Sequence, residues 1–385
     1  MKKPLGLYVH IPFCVRKCKY CDFLSFEGEP DMGQLQYVNT LLREIRQAGT
    51  IYGRKYYVNT IFFGGGTPSI LDEILIKRIL DVIYEEFEVK TDEQDGFALP
   101  EITIEANPGT LTGEKLEEYR RSGVNRLSLG VQSFHIDLLR TLGRIHTPEQ
   151  AKQSYKLARE LGFENINFDL MFGLPGQTPE MWKQTLEEAI AMEPEHISFY
   201  SLELEEGTPF AQMYREGRLE LPDEDIDRDM YHTAIDLLKK NGYVHYEISN
   251  AAKPGFECRH NLKYWSMEEY LGLGLGAHSY VDGMRFKNVG NLGAYNSTDV
   301  PRTDSYRNTE KDDMSDYLFT GLRKIEGISL QEFKDRFHVD VMILYRRPIQ
   351  KHLDGGLLEL KDNGSRLALS ALGLDNMNKV LQDLL

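Results

Sequence analysis

Three cysteines lie close together near the start of the chain. Cys14, Cys18 and Cys21 form a C-x3-C-x2-C pattern, and Cys258 is the only other cysteine. Thiolates hold iron–sulfur clusters, and a four-iron cluster normally takes four of them, so three would leave one iron open to another ligand. Zinc is the alternative metal, because it accepts mixed sulfur and nitrogen ligands and His10 or Cys258 would complete its site. The pattern by itself leaves both metals open.

A glycine-rich segment follows the second predicted strand. Gly64, Gly65 and Gly66 precede Thr67 and Pro68. Glycine has no Cβ, so backbone groups in such a segment can approach a ligand closely. Glycine triplets also form ordinary turns. The position of this one after a strand, with a cysteine loop after the preceding strand, favours ligand binding.

Short β-rich runs alternate with segments of helical periodicity over residues 1–200. The predicted strands are residues 5–11, 60–63, 101–105, 126–129, 166–170 and 196–201. Predicted helices between them include residues 35–48, 70–87, 148–161 and 179–192, and Thr112 and Thr178 are placed as N-caps. Six strand–helix units predict an α/β fold with a partial (β/α)6 TIM-like barrel, whose active site lies at the carboxyl ends of the strands.

The rest of the chain divides into two further regions. We predict the barrel over residues 1–240, a barrel extension over 241–300, and a winged-helix-like α+β domain over 301–385. The extension has an expected strand at 244–248 and a glycine-rich stretch at 272–280, and the polar residues 296–312 predict a linker. Helical patterns follow at 311–324, 330–337, 341–352 and 371–384, with a hairpin signal, Asp362-Asn363-Gly364, between residues 357–360 and 366–369.

Composition narrows the functional classes. The 385 residues include 60 acidic and 45 basic side chains, for a net charge of −15, which disfavours a nucleic-acid partner. No apolar run is long enough to span a bilayer, and the first residues lack an export signal. A thiol cluster in such a chain predicts metal binding in a reducing compartment, so we expect a cytoplasmic protein.

The motifs together resemble those of the radical S-adenosylmethionine (SAM) superfamily and, within it, the oxygen-independent coproporphyrinogen III oxidase-like family. The matching stretches are YVHIPFCVRKCKYC (8–21), FFGGGTPS (62–69), EANP (105–108), LGVQSF (129–134) and NFDLMFGLPGQT (167–178). The resemblance implies a [4Fe-4S] cluster on Cys14, Cys18 and Cys21, with SAM at the open iron and its reductive cleavage to a 5′-deoxyadenosyl radical. It also implies SAM contacts from Tyr8, Tyr20, Gly65, Gly66, Thr67, Glu105, Gln132, Arg144 and Asp169.

Two features separate this chain from the oxidase. The oxidase has a further cysteine two residues after the triad, where this chain has Phe23. Residues 260–265, HNLKYW, are similar to the HNxxYW signature of the HemW-type haem chaperone family, which implies a haem site with His260, Tyr264 and Trp265. A neutral histidine can ligate haem iron, and aromatic side chains can pack on a porphyrin. His278 and Cys258 are alternative haem ligands.

The sequence is therefore compatible with two functions. The favoured one is a haem chaperone that delivers haem to a respiratory protein, for which no catalytic residue is assigned. The alternative is an oxygen-independent coproporphyrinogen III oxidase, an enzyme that decarboxylates porphyrinogen propionates. The family resemblance is compatible with a cluster-promoted homodimer. A respiratory acceptor is compatible with peripheral membrane contact, although the sequence shows no amphipathic anchor.

Overall fold

The computed structural model describes residues 2–28, 31–89, 99–299 and 301–384. In chain order its strands are β1 (Lys3–Ile11), β2 (Phe13–Cys14), β3 (Phe26–Glu27), β4 (Tyr56–Gly65), β5 (Glu88–Val89), β6 (Glu101–Ala106), β7 (Arg126–Gln132), β8 (Ile166–Phe172), β9 (His196–Ser201), β10 (Val244–Glu247), β11 (Asn250–Ala252), β12 (Tyr270–Leu273), β13 (His278–Val281), β14 (Met284–Asn288), β15 (Arg302–Arg307), β16 (Ile328–Ser329), β17 (Leu358–Lys361) and β18 (Arg366–Leu369). Its helices are α1 (Asp31–Tyr52), α2 (Glu73–Glu86), α3 (Gly113–Arg121), α4 (Ile136–Leu142), α5 (Pro148–Glu160), α6 (Pro179–Ala191), α7 (Pro209–Arg215), α8 (Glu224–Lys240), α9 (Arg259–Trp265), α10 (Leu292–Ser297), α11 (Glu310–Gly321), α12 (Leu330–Phe337), α13 (Val341–Leu344), α14 (Arg346–Asp354), α15 (Ala371–Asp375) and α16 (Met377–Leu384).

Six parallel strands form the core of the large sheet, in the order β1-β4-β6-β7-β8-β9. Strands covered on both faces are nearly continuous apolar runs, and every residue of β7 is buried. Helices follow the strands, and the Thr112 and Thr178 side chains accept hydrogen bonds from the first turns of α3 and α6 as predicted. The partial six-strand barrel is thereby confirmed, and its strand carboxyl ends meet at one edge.

The large sheet continues beyond the barrel strands on both sides. Strand β11 pairs with β9 and then with β10, while β12 pairs in parallel with β1 and leads to β13, β14 and β15. The expected linker at 296–312 is wrong in part, because residues Arg302–Arg307 form β15, which pairs with β14. As the last strand of the sheet order, β15 is mostly exposed, so its sequence is polar and gives no apolar strand signal.

The C-terminal module has the helix and strand order of a winged helix. Helices α11, α12 and α14 pack with the antiparallel sheet β16-β18-β17 around a separate hydrophobic cluster. Two helices predicted as continuous are broken, at Tyr345 between α13 and α14 and at Asn376 between α15 and α16. The backbone has positive ψ at both residues, 27° and 24°, which ends the helical path. The boundaries at residues 240 and 300 stay predictions.

No helix in the described ranges is long and apolar enough to cross a membrane.

Candidate functional site

A cavity of about 1120 Å³ opens at the carboxyl ends of the barrel strands. Most residues that the sequence assigned to the cluster and SAM line this one space: Cys14, Cys18, Cys21, Tyr20, Gly65, Gly66, Thr67, Glu105, Gln132, Arg144 and Asp169. Tyr8 lies next to the cavity in a smaller chamber. The structure therefore brings together side chains that are spread over five separate motifs, at the end of the sheet where parallel-strand enzymes bind ligands.

The cysteine loop begins at β2 and receives two donors from other parts of the site. The Thr67 hydroxyl donates to Cys14 Sγ at 3.6 Å, and Arg144 Nη1 donates to Cys18 Sγ at 3.7 Å. Burial raises the pKa of Cys14, and it raises the pKa of Cys21 to about 11. Thiolates in this loop therefore depend on neighbouring donors or on a bound metal for stabilisation.

The surroundings of the cysteines bear on the two metals that the sequence left open. Within the described ranges, no group of three His, Cys, Asp or Glu side chains is placed to hold a metal ion. Zinc requires its ligands around a single ion, whereas in a four-iron cluster each cysteine binds a different iron atom. The residues proposed to complete a zinc site are engaged elsewhere, since His10 contacts Tyr8 and the Leu24 carbonyl. Cys14, Cys18 and Cys21 line one cavity, and His10 is engaged away from them.

The glycine segment packs against the cysteine loop instead of leaving its backbone free for a ligand. The Gly66 and Thr67 N–H groups donate to the carbonyl oxygens of Ile11 and Phe13 at 2.9 and 2.7 Å. A Cβ at Gly66 would lie 2.6 Å from the Phe13 carbonyl oxygen, and Gly65 has a φ of +113° that favours glycine. The glycine backbone therefore makes the close approach that the sequence predicted, but in this structure it approaches the strand and loop that carry Cys14.

Two carboxyl groups stand at strand ends beside the glycine segment. Glu105 accepts from the Gly65 N–H at 3.1 Å, and Asp169 accepts from Ser128 at 3.1 Å and from Asn167 Nδ2 at 2.8 Å. Burial, together with the negative charge of Asp169, raises the pKa of Glu105 to about 8, and burial also raises the pKa of Asp169. Carboxyl groups in these positions can exchange hydrogen bonds with ligand hydroxyls.

Arg144 is held in place by a residue that sequence reasoning did not single out. Its Nη2 donates to Asn107 Oδ1 and to the Gly130 carbonyl, both at 2.5 Å, and Asn107 Nδ2 donates to Thr67 at 2.8 Å. Asn107 belongs to the EANP stretch, so the motif contained the signal.

Gln132 has a φ of +64°, which is strained for a non-glycine residue and is typical of functional sites.

Helix α9, which carries the HNxxYW residues, packs on the chamber side of β1 and β4. The His260 side chain is buried, with Nδ1 2.8 Å from Thr60 Oγ1 and Nε2 2.9 Å from the Tyr264 hydroxyl. Its ring also stacks on Phe62 at 5.2 Å, and burial lowers its pKa to about 3. Both ring nitrogens are therefore occupied, and neither His260 nor Tyr264 lines the large cavity.

The other candidate haem residues also lie away from the cavity. The Trp265 ring lies under the Arg323 guanidinium, and His278 is exposed on β13 opposite Lys287. Cys258 is buried at the start of α9, with Sγ 3.6 Å from Glu101 Oε1. Haem ligation by any of these residues stays a prediction, and ligation by His260 would require its present hydrogen bonds to break.

The C-terminal module supplies one wall of the cavity, which no sequence signal indicated. Residues 374–379 line it together with the cysteine loop. On α8, Arg228 forms an ion pair with Asp375 at 3.2 Å and His232 forms a hydrogen bond with it at 3.1 Å. The cavity is therefore completed by two parts of the chain that fold around different hydrophobic clusters.

Comparison with known proteins agrees with this architecture. The sequence matches the Radical SAM superfamily over residues 8–189 and the HemN C-terminal domain over residues 308–374. It is 38% identical to the heme chaperone HemW of Lactococcus lactis subsp. lactis (strain IL1403), over 100% of this chain and 98% of that protein. It is 37% identical to HemW of Bacillus subtilis (strain 168), over 97% of this chain and 96% of that protein. For HemW of Escherichia coli (strain K12) the identity is 43%, over 72% of this chain and 70% of that protein.

A solved structure shares the fold. Coproporphyrinogen III oxidase (HemN) from Escherichia coli superposes with a TM-score of 0.85, over 100% of this chain and 90% of that chain, at 23% sequence identity. At this identity the likeness shows the fold alone. The nearly full-length similarity to HemW proteins is the more specific finding. With the cysteine, glycine and carboxyl motifs gathered in one cavity, the chain belongs to the radical SAM superfamily and, within it, to the HemW haem chaperone family.

Proposed function

We propose that this chain is a haem chaperone that carries a [4Fe-4S] cluster, binds SAM beside it, and delivers haem to a respiratory protein. The names of its relatives support haem handling as the function. The observation that carries the cofactor part is the single cavity that joins Cys14, Cys18 and Cys21 to the glycine segment and the two carboxyl groups. A reducing compartment such as the cytoplasm would keep these thiols available for iron.

Each part of the cavity has a role in this proposal. The three cysteines would hold the cluster, and SAM bound there would supply a sulfonium group that one electron can cleave. Arg144, fixed by Asn107, places a positive charge beside Cys18. Glu105 and Asp169 would exchange hydrogen bonds with the cofactor's hydroxyl groups.

Phe23 favours haem transfer over porphyrinogen oxidation. It occupies the place of the oxidase's additional cysteine, lines the cavity, and is 63% exposed. An exposed aromatic side chain can pack on a planar ligand, but it cannot replace the ligand or redox chemistry of a thiolate. The oxidase alternative therefore rests on the shared fold.

One paired experiment separates the two functions. Anaerobically prepared protein is titrated with haem while its absorbance is followed, and the same preparation is incubated with coproporphyrinogen III, SAM and a reductant. We expect a saturable Soret band and no loss of porphyrinogen. Porphyrinogen consumption without haem binding would refute the chaperone function and support the oxidase function. A further titration of haem-loaded protein with an apocytochrome tests delivery, which requires the Soret signal to move to the acceptor.

A further inference from the structure

An interior chamber of about 280 Å³ lies next to the large cavity. Its wall includes residues of all six barrel strands and of α9: Tyr8, Phe62, Glu105, Arg126, Ser128, Asn167, Asp169, Ser198 and Asn261. Several of these residues also line the large cavity, among them Glu105, Ser128, Asp169, Ser198 and Asn261. The chamber is therefore a branch of the same space, and one arm of a ligand in the cavity can extend into it.

Several hydrogen-bond acceptors of this chamber have donors from the protein. Asp169 accepts from Ser128 and Asn167, and Glu105 accepts from the Gly65 N–H. The Asn167 side-chain oxygen accepts from the Ser198 N–H at 3.1 Å.

Two donors lie in the same walls. Arg126 is 1% exposed, and its Nε–H has no hydrogen-bond acceptor within the described part of the chain. Glu101 and Asp169 attract it through space without contacting it. The Asn261 side chain lines both spaces and offers the N–H donors of its carboxamide. A buried N–H group without an acceptor is unfavourable, so an acceptor from a ligand in the chamber would satisfy the Arg126 Nε–H.

We propose that the interior chamber is a carboxylate-binding site, in which the Arg126 guanidinium and the Asn261 carboxamide hold one carboxylate group of a ligand. A guanidinium offers two parallel N–H groups that match the two oxygens of a carboxylate. Burial raises the pKa of Glu105 to about 8, which reduces its negative charge near pH 7, and burial also raises the pKa of Asp169. Under the proposed function the natural source is a propionate arm of haem; a small free carboxylate is the other source.

The test compares ligands that differ only in their carboxylates. Haem, haem dimethyl ester and propionate are offered to the full-length anaerobic protein and to the Arg126→Gln, Asn261→Ala and Arg54→Gln variants. Arg54 is exposed and serves as the matched control. We expect the wild-type protein and Arg54→Gln to bind haem roughly tenfold tighter than the ester, because a charge-assisted hydrogen bond contributes about that factor. In Arg126→Gln the ratio should fall to about one, with a smaller fall in Asn261→Ala.

The stability of the variants supplies a second measurement. Because Glu101 and Asp169 attract the Arg126 charge through space, the Tm of ligand-free Arg126→Gln is compared with that of the wild type to confirm that the variant folds. If the folded variant binds haem and the ester in the wild-type ratio, the inference is wrong. Asn261→Ala keeps the test decisive if Arg126→Gln does not fold, because it removes the other donor alone.

The outcomes separate this inference from the proposed function. Equal binding of haem and its ester by the wild-type protein, with no rise in Tm on adding propionate, overturns the chamber site while leaving the chaperone intact. The other outcome is a protein that does not bind haem but whose Tm rises with propionate, with no such rise in Arg126→Gln. This outcome supports the site and assigns it to a small carboxylate. That second result would also refute haem as the cargo.

Discussion

His260 Nε2 lies 2.9 Å from the hydroxyl oxygen of Tyr264, on the chamber side of the barrel strands. The other ring nitrogen lies 2.8 Å from Thr60 Oγ1, on a strand 200 residues away in sequence. The Glu101 side chain accepts from the backbone N–H groups of Arg259 and His260, both at 3.0 Å, so it caps the start of α9. These contacts fix α9 inside the barrel, and this placement brings Asn261 to the chamber wall.

A structural role for His260 predicts a loss of stability without a change in haem spectrum. Tyr264→Phe removes one hydrogen-bond partner of the buried ring, and we expect it to lower the free energy of unfolding by about 1–3 kcal/mol. The Soret band of the haem-loaded variant should keep its wild-type position. Urea unfolding and absorbance spectra measure the two effects. If His260→Gln folds with wild-type stability but shifts the Soret band, His260 is a haem ligand and the structural explanation is wrong.

The assignment of the metal predicts different behaviour for cysteines of the loop and for Cys258. Cys14→Ala should abolish the visible absorbance and most of the bound iron of anaerobically reconstituted protein, because a cluster with two cysteine ligands loses its anchor. Cys258→Ala is the matched control, since Cys258 is buried beside Glu101 and does not line the cavity. Elemental analysis measures the iron and zinc bound by both variants and by the wild type. Zinc in the wild-type protein, lost on Cys258→Ala, would contradict the cluster.

Much of this site could be predicted from the sequence because its parts are local. Strands buried on both faces give apolar runs such as residues 126–132, and parallel strands place their carboxyl ends at one edge. Side chains that directly follow those runs, including Glu105 and Asp169, were therefore expected to meet. The threonine N-caps could also be predicted from the sequence, because an N-cap side chain bonds to backbone N–H groups in the first turn of its own helix.

The remaining features depend on contacts between distant segments. The haem site at HNxxYW was predicted from the family resemblance, but the residues that contact and bury His260, Thr60 and Glu101, come from separate strands. Residues 302–307 are polar because they form an edge strand, which sequence polarity cannot distinguish from a linker. The cavity wall at 374–379 depends on contacts between the C-terminal module and α8, for which local sequence carries no periodic signal.

The contact between Arg144 and Cys18 predicts an effect on the cluster's reduction potential. A positive charge near the cluster stabilises the reduced form, which carries more negative charge, so Arg144→Gln should lower the midpoint potential. A loss of about 1.4 kcal/mol would correspond to about 60 mV for one electron. Redox titration monitored by electron paramagnetic resonance measures the shift. Arg144→Lys keeps the charge and should retain most of the potential; an equal fall in both variants would implicate geometry instead.

The ion pairs of Asp375 predict local loosening of the cavity wall. Arg228 and His232 are 41% and 42% exposed, so these surface pairs contribute only about 0–1 kcal/mol to global stability. Asp375→Asn should therefore leave the Tm nearly unchanged but speed hydrogen exchange at residues 374–379. Exchange measured by mass spectrometry checks this, with Asp335→Asn as a control in the same module, outside the cavity. Unchanged exchange at 374–379 would show that apolar packing alone holds the wall.

The raised pKa of Glu105 predicts that the stability of metal-free protein falls as the pH rises. In the folded protein this carboxyl keeps its proton up to about pH 8, whereas in the unfolded chain it loses it near its ordinary value of 4.5. Between these values unfolding releases a proton, so the free energy of unfolding decreases by at most about 1.4 kcal/mol per pH unit. Glu105→Gln removes this contribution and keeps an oxygen for the Gly65 N–H. In urea unfolding experiments between about pH 4.5 and 8, the free energy of unfolding of Glu105→Gln should therefore increase relative to that of the wild type as the pH rises. A difference that stays constant with pH would mean that Glu105 is already ionised in the folded protein.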